Sequence, residues 1–495
     1  MKRKHSPTAN KHFLNRLKPM VRLALFLLPA SLMSAEVNFT TLHTFGGLDG
    51  AMPLAGLLPA SDGYLYGTTV RGGANGIGAV FQISTNGDFS SLHSFGGPDG
   101  GFPLAGLIQG PGGFLYGTTV YGGAHTNADG LGDGTVYQIT TQGAFTNVNS
   151  FTGSYASPWG GLVQAADGSL LGATVYGGDF NAGSLFSSDP AAKIFGPVLA
   201  FSGSSPGGIF GQHPTSMLVL DGCYYGTTEG DGLSVGQDGI FAGDGTVFSF
   251  VPPGIGGPAG SDLYFFGSVT DASGNPLDGS GPNGLLAGRD GVLYGTTFAG
   301  GTNGAGTVFA LSTNGVLTRL YSFTGANDGA NPGAALVQGG NGTLYGTTFA
   351  GGSSGNGAVF AINPDGTGFA TLYNFSPVST NSLGIYTNSD GANPMAKLII
   401  LGRTLYGTTS AGGNSGNGTV FSLNLPGPQL TISLTGTNVL LSWPANIPGY
   451  TLEYATNLAP PTVWTTNAVA PSIINGQNIT TNSVTGTAMF FRLSD

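Results

Sequence analysis

Short apolar segments of six or seven residues recur along the chain, and each is bounded by Gly, Asn or Asp. One set reads PLAGLI at 103–108, FLYGTTV at 114–120, GTVYQI at 134–139 and FTNVNSF at 145–151. These segments have the length of β-strands and are rich in aromatic and β-branched residues, and nothing after residue 35 shows sustained helical periodicity. The pattern predicts an all-β protein whose strands are joined by tight, Gly-containing turns.

The four-segment pattern occurs seven times, and its second segment is the most regular. It reads LYGTT at 65–69, 115–119, 293–297, 344–348 and 405–409, LLGAT at 170–174 and YYGTT at 224–228. Four antiparallel strands repeated at intervals of about 50 residues are typical of a β-propeller, here with seven four-stranded blades. The alternative is a solenoid, which would need shorter and more uniform repeats with capping units.

The two ends of the repeat array favour closure into a ring. The array begins with FTTLHTF at 39–45, which has the pattern of a fourth, outer strand. The last repeat supplies MAKLIIL at 395–401, TLYGTT at 404–409 and GTVFSL at 418–423, but no outer strand of its own. We therefore predict that the N-terminal strand completes the last blade and leaves no open sheet edge.

The repeated phrase is best interpreted as architecture. In LYGTT the Leu and the Tyr would point to opposite faces of a blade, each covered by a neighbouring blade. The Gly indicates a close approach by a neighbouring backbone, or a bend, and the two Thr residues can hydrogen-bond across the strand. The glycines that follow would adopt positive φ in the turn.

The full pattern LYGTT-x-x-GG-x-x-G-x-G-x-V-F-x-[IL] resembles the GloVer tandem-repeat family of exported bacterial proteins. The resemblance covers about residues 39 to 423, and the third repeat departs from it with LLGAT and with Leu185-Phe186 in place of Val-Phe. The resemblance implies export and often a C-terminal sorting or accessory segment. It brings no established activity and no catalytic residues.

The two ends of the chain differ from the repeats. Residues 1–35 combine a basic region with the apolar run LALFLLPASLMSA at 23–35, which predicts a signal peptide and a secreted or cell-envelope protein; the alternative is an uncleaved anchor. LPGPQ at 425–429 predicts a linker after a propeller of residues 36–424. Residues 430–495 contain six strand-like segments and resemble a fibronectin-III-like β-sandwich, with Trp443, Tyr450, Trp464, Phe490 and Phe491 as core candidates and a C-terminus that is free or tethered to protein.

The net charge of the chain restricts the classes of molecule that we expect it to bind. Half of the 14 Lys and Arg residues precede residue 23, so the chain after residue 35 carries seven basic and 24 acidic residues, a formal charge of −17. Such a surface repels phosphate backbones, so we expect no nucleic-acid binding. Because the apolar run at 23–35 is short, we also expect no membrane span once the signal peptide is cleaved. Cys223 is the single cysteine and excludes an intrachain disulfide; we interpret it as an inert strand residue in a monomer.

Candidate binding residues fall on one face of the predicted propeller. The loops that lead into each blade and the loops between second and third strands emerge together, and most long insertions lie in them: 124–134, 229–245, 266–284 and 376–394. The loops that lead into blades carry Asp49, Asp99, Asp328 and Asp390, each followed by Gly. Their carboxylates suit Ca²⁺, but Asp-Gly also simply makes turns, and we favour turns with no cofactor.

The sequence gives weaker indications of catalysis and of metal binding by histidine. Glu229 lies on the same face, near Asp231, Asp238 and Asp244, and is the candidate acid of a polysaccharide hydrolase or lyase. A Gly-rich loop is a poor place to fix such a pair of carboxylates. His43 and His93 occupy a strand position that other repeats fill with Asn or Tyr, so we interpret them as packing residues rather than metal ligands.

The seven repeats are similar, and the sequence shows no distinctive cluster of polar residues in any one of them. This favours binding over catalysis. We therefore expect an exported module that binds an extracellular glycan or protein through the loop-rich face. The alternatives are a polysaccharide-acting propeller enzyme and a purely structural envelope protein. An enzyme would need an asymmetric cluster of residues in one pocket, whereas the other two roles tolerate near-equivalent blades.

Overall fold

The computed structural model describes residues 37–125, 132–153, 155–192, 194–202, 211–230, 244–254, 257–435, 438–444, 450–457, 462–474, 477–483 and 489–494. The predicted signal peptide lies outside these residues, as do Asp231 and Asp238 and parts of the insertions at 124–134 and 229–245. In the part that is described, no helix is long and apolar enough to cross a lipid bilayer.

The described residues are all-β apart from one turn of 3-10 helix at Pro111–Gly113. The first half of the repeat region contains β1 (Asn38–Thr44), β2 (Leu58–Pro59), β3 (Tyr64–Thr69), β4 (Ala79–Ser84), β5 (Phe89–Ser94), β6 (Ile108–Gln109), β7 (Leu115–Thr119), β8 (Thr135–Ile139), β9 (Phe145–Ser150), β10 (Tyr155–Ala156), β11 (Val163–Gln164), β12 (Leu170–Thr174), β13 (Tyr176–Gly177), β14 (Ser184–Asp189) and β15 (Ile194–Ala200). The second half contains β16 (Gln212–Leu220), β17 (Cys223–Gly230), β18 (Thr246–Gly254), β19 (Gly257–Phe265), β20 (Ser280–Ala287), β21 (Leu293–Ala299), β22 (Thr307–Leu311), β23 (Leu317–Ser322), β24 (Val337–Gln338), β25 (Leu344–Thr348), β26 (Ala358–Ile362), β27 (Ala370–Asn374), β28 (Ser379–Thr380), β29 (Tyr386–Thr387), β30 (Ile399–Leu401), β31 (Thr404–Thr409) and β32 (Thr419–Asn424).

These strands form seven four-stranded antiparallel sheets within the described repeat region. Sheets 1 to 7 are β2–β5, β6–β9, β11-β12-β14-β15, β16–β19, β20–β23, β24–β27 and β30-β31-β32-β1. The N-terminal strand β1 therefore pairs with the last repeat, from Asn38 opposite Asn424 to Thr44 opposite Thr419. The first strand of sheets 1, 2, 3 and 6 has only two residues, so the predicted segment PLAGLI is mostly an extended approach to the sheet.

Seven apolar clusters join the sheets in a cyclic order. Each cluster contains the second residue of one phrase, which is Tyr except in sheet 3, where it is Leu. It also contains the first residue of the next phrase, which is Leu except in sheet 4, where it is Tyr. The seventh cluster packs Tyr406 of sheet 7 against Leu65 and Phe81 of sheet 1. The opposite faces predicted for Leu and Tyr are thus the two faces that neighbouring sheets cover, and the arrangement is propeller-like.

The Gly of each phrase lies under an aromatic ring, and in sheet 4 a Cβ on Gly226 would also meet the carbonyl oxygen of Ser216, the close backbone approach that the sequence suggested. Gly67 pairs across the strands with Phe81, and Gly172 pairs with Phe186. A Cβ on Gly172 would overlap the Phe186 ring and lie 2.9 Å from Leu162 Cδ2. The same ring covers the equivalent Gly in all seven sheets, with Tyr137 replacing Phe in sheet 2. The glycine is therefore required by side-chain packing within its own sheet.

The two Thr residues of the phrase make different hydrogen bonds. The second pairs its hydroxyl across the strands in five sheets, at Thr119–Thr135, Thr174–Ser184, Thr228–Thr246, Thr297–Thr307 and Thr409–Thr419, over 2.8 to 2.9 Å. The first donates instead to a carbonyl of the next sheet, as from Thr296 to Ala334 over 2.9 Å. Thr408 makes the same bond to Pro53 over 3.2 Å, which links sheet 7 to sheet 1.

Tyr137 provides a test of this packing. Its hydroxyl is buried without a hydrogen-bond partner among the described residues, where six sister sheets carry Phe. We expect Tyr137→Phe to raise the free energy of unfolding by about 1 to 3 kcal/mol, because it removes an unsatisfied buried hydroxyl. Urea unfolding measures the change, and Phe309→Tyr, which adds a hydroxyl at the equivalent position of sheet 5, should lower the same quantity. No gain for Tyr137→Phe would contradict the unsatisfied hydroxyl.

The chain divides into a compact unit of Glu36–Pro426 and a second that contains Gly427–Asp495. The described strands of the latter are β33 (Thr431–Thr435), β34 (Asn438–Pro444), β35 (Thr451–Ala455), β36 (Thr465–Thr466), β37 (Ser472–Ile474), β38 (Gln477–Ser483) and β39 (Phe490–Ser494). They form a four-stranded sheet, β33-β34-β38-β37, and a three-stranded sheet, β36-β35-β39. Trp443 and Leu452 share one core between the sheets, whereas Trp464 packs under Arg492, 4.4 Å from its ring centroid.

Candidate functional site

The loop-rich face is the edge of the seven sheets where first strands begin and second strands end. The residue before each first-strand proline has positive φ in every sheet: Met52, Phe102, Ser157, His213, Gly281, Asn331 and Asn393. This left-handed conformation costs a non-Gly residue about 1 to 3 kcal/mol, so the surrounding structure must enforce it. From the sequence, positive φ was expected only at the glycines, so this ring of left-handed residues was not predicted.

Hydrogen bonds between neighbouring sheets hold the ring of left-handed residues. Each donates its N–H to a loop carbonyl of the preceding sheet, with donors and acceptors Met52–Asn417, Phe102–Ile77, Ser157–Asp133, His213–Ala182, Gly281–Asp244, Asn331–Ala305 and Asn393–Asn356, over 2.7 to 3.0 Å. The bond from Met52 to Asn417 again joins sheet 1 to sheet 7. The loop-rich face is therefore a rigid collar that can fix the side chains it carries.

The predicted aspartates lie in separate turns of this collar. Asp49 accepts a hydrogen bond from the Gly46 N–H over 2.7 Å, and its second oxygen lies 2.8 Å from Nε2 of His43. Asp99 makes the same pair of contacts with Gly96 and His93. The two histidines are thus hydrogen-bonding partners of the aspartates in addition to stacking on Phe residues, a role that the interpretation as packing residues missed.

The later repeats use tyrosine for the same contact. Tyr321 donates to Asp328 over 3.0 Å, and Tyr373 donates to Asp390 over 2.8 Å. Tyr264 donates to Asp278 over 2.8 Å in the same way, although Asp278 is not among the aspartates predicted from the sequence. A link between an aromatic or His side chain of the fourth strand and an Asp of the next loop therefore recurs at five junctions.

The structure does not bring the four predicted aspartates together. Each is held within its own turn, and the described residues contain no group of three or more His, Cys, Asp or Glu side chains that could hold a metal ion. Of the four, Asp390 is buried and has one oxygen without a partner in the described part of the chain. Binding of Ca²⁺ at these positions stays a prediction.

The Tyr–Asp links predict sensitivity to alkaline pH. Burial, together with the hydrogen bond to Asp328, raises the pKa of Tyr321 to about 12, and burial with Asp278 nearby raises the pKa of Tyr264 to about 12. A raised pKa in the folded state means that this stability is fully present below the unfolded value of 10 and is lost as the pH passes 12. We expect the free energy of unfolding to fall across that window. Tyr321→Phe should show a smaller fall in urea titrations at successive pH values; an equal fall would contradict the assignment.

An asymmetric group of exposed aromatic side chains lies on the loops of sheets 2 and 3. We call Tyr121, Trp159, Tyr176 and Phe180 the aromatic arc; their exposed fractions are 36%, 36%, 42% and 54%. Tyr176 contacts His213 edge-on with ring centroids 5.5 Å apart, and Tyr121 contacts Phe102 at 5.7 Å. The arc is continuous with the collar, because Ala156 pairs with Tyr176 and Ser157 donates to Asp133 of sheet 2.

Sister repeats carry no aromatic residue at the positions of Tyr121, Trp159 and Tyr176. The position of Tyr121 and Tyr176 is Arg71, Gly230, Ala299, Ala350 and Ala411 in the other sheets, and the position of Trp159, directly after the proline, is Leu54, Leu104, Thr215, Asn283, Gly333 and Met395. Because the repeats were expected to be near-equivalent, these aromatic residues are not among the predicted site residues. Comparing each repeat position by position would have identified these residues, because a large aromatic residue that departs from its repeat and stays exposed is not needed for packing.

The candidate acid Glu229 is a residue of strand β17, not of the Gly-rich loop in which the sequence predicted it, and it is exposed. Partial desolvation raises the pKa of its carboxyl above the ordinary value. Of its predicted neighbours, Asp244 is described, and its carbonyl accepts the collar bond from Gly281. Cys223 is a partly buried strand residue whose thiol lies 3.6 Å from the carbonyl of Phe250.

Seven sheets with the same glycine–aromatic pair and the same collar define one repeated unit. The family profile of the Gloeobacter/Verrucomicrobia repeat matches residues 31–241 and 233–440. The chain belongs to this repeat family. The match confirms the resemblance seen in LYGTT and its flanking Val-Phe strand. No curated protein matches the chain.

Solved structures resemble this member of the Gloeobacter/Verrucomicrobia repeat family only distantly. A Bacteroides fragilis protein named as a candidate 6-phosphogluconolactonase is 17% identical with a TM-score of 0.42, covering 64% of this chain and 82% of its own. TolB of Acinetobacter baumannii is 11% identical at 0.34, covering 58% of each chain. A fungal alcohol oxidase of the AA5 family, in complex with copper, is 13% identical at 0.44, covering 92% and 91%. None of these proteins' activities transfers to the repeat protein at such identities.

Proposed function

We propose that the seven sheets are the blades of a closed seven-bladed β-propeller, exported through the signal peptide and followed by a fibronectin-III-like sandwich. The pairing of β1 with β32, the cluster around Tyr406 and Leu65, and the bond from Thr408 to Pro53 support closure. The shared core of Trp443 and Leu452 supports a sandwich. Closure without a disulfide is consistent with the single cysteine.

We propose that this propeller is a binding module for an extracellular glycan, and that the aromatic arc is its contact surface. The observation that carries the proposal is the exposure of Trp159, Tyr121 and Tyr176 on a rigid collar at blades 2 and 3. Large aromatic rings with a polar edge give extensive contact area at low conformational cost, which suits the apolar faces and hydroxyl edges of sugar rings.

The charge of the chain favours an uncharged glycan at this surface. A formal charge of −17 after residue 35 repels anionic polymers over the range of the Debye length, about 8 Å at physiological salt. An extracellular protein partner is the second candidate for the same surface. A hydrolase or lyase centred on Glu229 and a purely structural role remain the alternatives from other classes.

The test is a screen of neutral and acidic polysaccharides against residues 36–495, with and without EDTA, followed by titration of any ligand found. We expect Trp159→Ala and Tyr176→Ala each to weaken the dissociation constant by about 10-fold to 100-fold, since buried aromatic anchors dominate such contacts. The matched control is Tyr386→Ala, which removes a 66% exposed tyrosine of the loop before sheet 7 and should leave binding unchanged.

The remaining outcomes separate the alternatives. Equal binding by wild type and both arc variants would contradict the aromatic arc. Loss of binding in EDTA would support calcium at the aspartate turns. Shortened or unsaturated sugars among the products would support the enzyme, and Glu229→Gln should then abolish their release.

A further inference from the structure

Strand β33 has an apolar face that the C-terminal unit leaves half open. Its sequence TISLT alternates Ile432 and Leu434 with hydroxyl residues. Ile432 pairs with Leu441 across the strands and Leu434 pairs with Val439, so the four side chains point to the same face of the sheet. Leu441 and Val439 are buried in the core between the two sheets, whereas Ile432 is 44% exposed and Leu434 is 49% exposed. The face that the alternation assigns to the core is therefore not covered along β33.

The two sheets of this unit differ in width by one strand. The sheet β33-β34-β38-β37 has four strands and faces the three-stranded sheet β36-β35-β39. Residues of β34 pack against Leu452 of β35 and against Phe491 and Leu493 of β39. Because β33 lies beyond β34, no described strand of the facing sheet remains to cover it. We call the space bounded by Ile432, Leu434 and the outer edge of β39 the open lane.

The outer edge of β39 is unpaired in the described part of the chain. β39 forms its ladder with β35 alone, from Ala455 opposite Phe490 to Thr451 opposite Ser494. An unpaired edge presents a row of backbone N–H and C=O groups that can take up a further strand. The open lane therefore combines a backbone edge, which requires an extended ligand, with an apolar wall that is one strand wide.

The side chains that line the open lane are uncharged. Glu453 of β35 and Arg492 of β39 alternate with the core-facing Leu452 and Leu493, so they point to the outer face of their sheet. There the two charged groups pair with each other over 2.7 Å. An occupant of the open lane should therefore present apolar side chains at every second position.

We propose that the open lane is a docking site for an extended segment of a partner protein. The segment adds to β39 as a fourth strand and places apolar side chains at alternate positions against Ile432 and Leu434. A second copy of this chain fits less well, because its β39 would bring its own β34 into the space that β33 already occupies. The site lies within the C-terminal unit and does not rest on glycan binding at the aromatic arc.

Two synthetic peptides test the proposal on residues 36–495. KTVTVTVTK alternates valine with threonine, and KTTVVVTTK has the same composition without the alternation. We expect KTVTVTVTK to bind saturably and to slow amide hydrogen exchange in β39 by at least about 10-fold, because the added strand hydrogen-bonds to the free edge. Exchange in β37, at the far edge of the facing sheet, should not change. KTTVVVTTK should bind at least about 10-fold more weakly.

Matched variants locate the binding surface. Ile432→Ser and Leu434→Ser should each weaken the dissociation constant of KTVTVTVTK by at least about 10-fold, and both should fold because the native side chains are half exposed. The control is Ile473→Ser, which removes a 69% exposed side chain from the same face of the sheet at its opposite edge. That variant should bind the peptide as the wild type does.

A chain that carries its own additional strand is a second control. Extension after Asp495 by Asn-Gly and TVTVTVT favours a hairpin turn that returns the new strand along β39. The extended chain should show slow exchange in β39 without peptide and should no longer bind KTVTVTVTK.

The contrary outcomes are distinct. Equal binding of KTVTVTVTK by wild type and Leu434→Ser, undiminished binding by the extended chain, or unchanged exchange in β39 with excess peptide would each overturn the docking site. A dimer in analytical ultracentrifugation that Leu434→Ser dissociates would assign the open lane to a second copy and overturn the partner segment. Glycan binding should persist in Leu434→Ser, so failure of this proposal and failure of the aromatic arc are distinguishable.

Discussion

Replacing Phe45 with alanine is expected to lower the free energy of unfolding by about 3 to 5 kcal/mol, the range for a fully buried Phe. Phe45 is 0% exposed and follows the N-terminal strand that completes sheet 7. Its ring meets Phe81 edge-on at 5.3 Å, within the cluster that joins sheet 7 to sheet 1. Truncation therefore leaves a cavity where the two ends of the repeat array meet.

Leu48 is the matched control for this prediction. It lies three residues away in the same connection and is 82% exposed, so Leu48→Ala should change stability by no more than about 0.5 kcal/mol. Both variants are measured by urea unfolding. If Phe45→Ala lowers the free energy of unfolding no more than Leu48→Ala does, the cluster that joins the two ends does not form. That result would also contradict closure of the ring.

Gly172→Ala is expected to lower the free energy of unfolding by about 1 to 3 kcal/mol, because the new methyl group overpacks a close-packed site. The methyl would overlap the ring of Phe186 and approach Leu162 Cδ2 to 2.9 Å. The matched control is Gly196→Ala in the same sheet, where a Cβ meets nothing within 4 Å and φ is not positive. That control should be neutral or slightly stabilising, since alanine reduces the freedom of the unfolded chain.

A second substitution tests the cause of the loss. Phe186→Leu removes the ring that the methyl overlaps, so Gly172→Ala should cost less in the Phe186→Leu background than in the wild type. A double-mutant cycle measures this coupling. Identical costs in the two backgrounds, or equal effects of Gly172→Ala and Gly196→Ala, would show that the glycine is not required by the aromatic ring.

Parts of the fold were predictable because they depend on local periodicity. Alternation within LYGTT predicted strands whose Leu and Tyr face opposite sides, and repetition of the phrase predicted four-stranded antiparallel sheets. The unmatched strand at 39–45 predicted the pairing with the last repeat, which the structure contains. Only complementary patterns and turn residues were needed for these predictions.

Parts of the site were not predictable, because they depend on which residues different repeats bring together. The partner of Asp49 is His43 and that of Asp328 is Tyr321, so two residue types that seemed interchangeable packing residues share one hydrogen-bonding role. The left-handed residues before the prolines include Met52 and Phe102, whose types give no signal for positive φ. Both features follow from contacts between neighbouring sheets.

The sequence by itself determined the repeat, its all-β character, the seven copies and the family, because each is encoded in spacing along the chain. The tertiary structure decided what the repeated residues do. It showed that the phrase's Gly lies under an aromatic ring of its own sheet and that the first Thr bonds to the next sheet. It also showed that Trp159 is exposed, which depends on neighbours that the chain supplies from distant repeats.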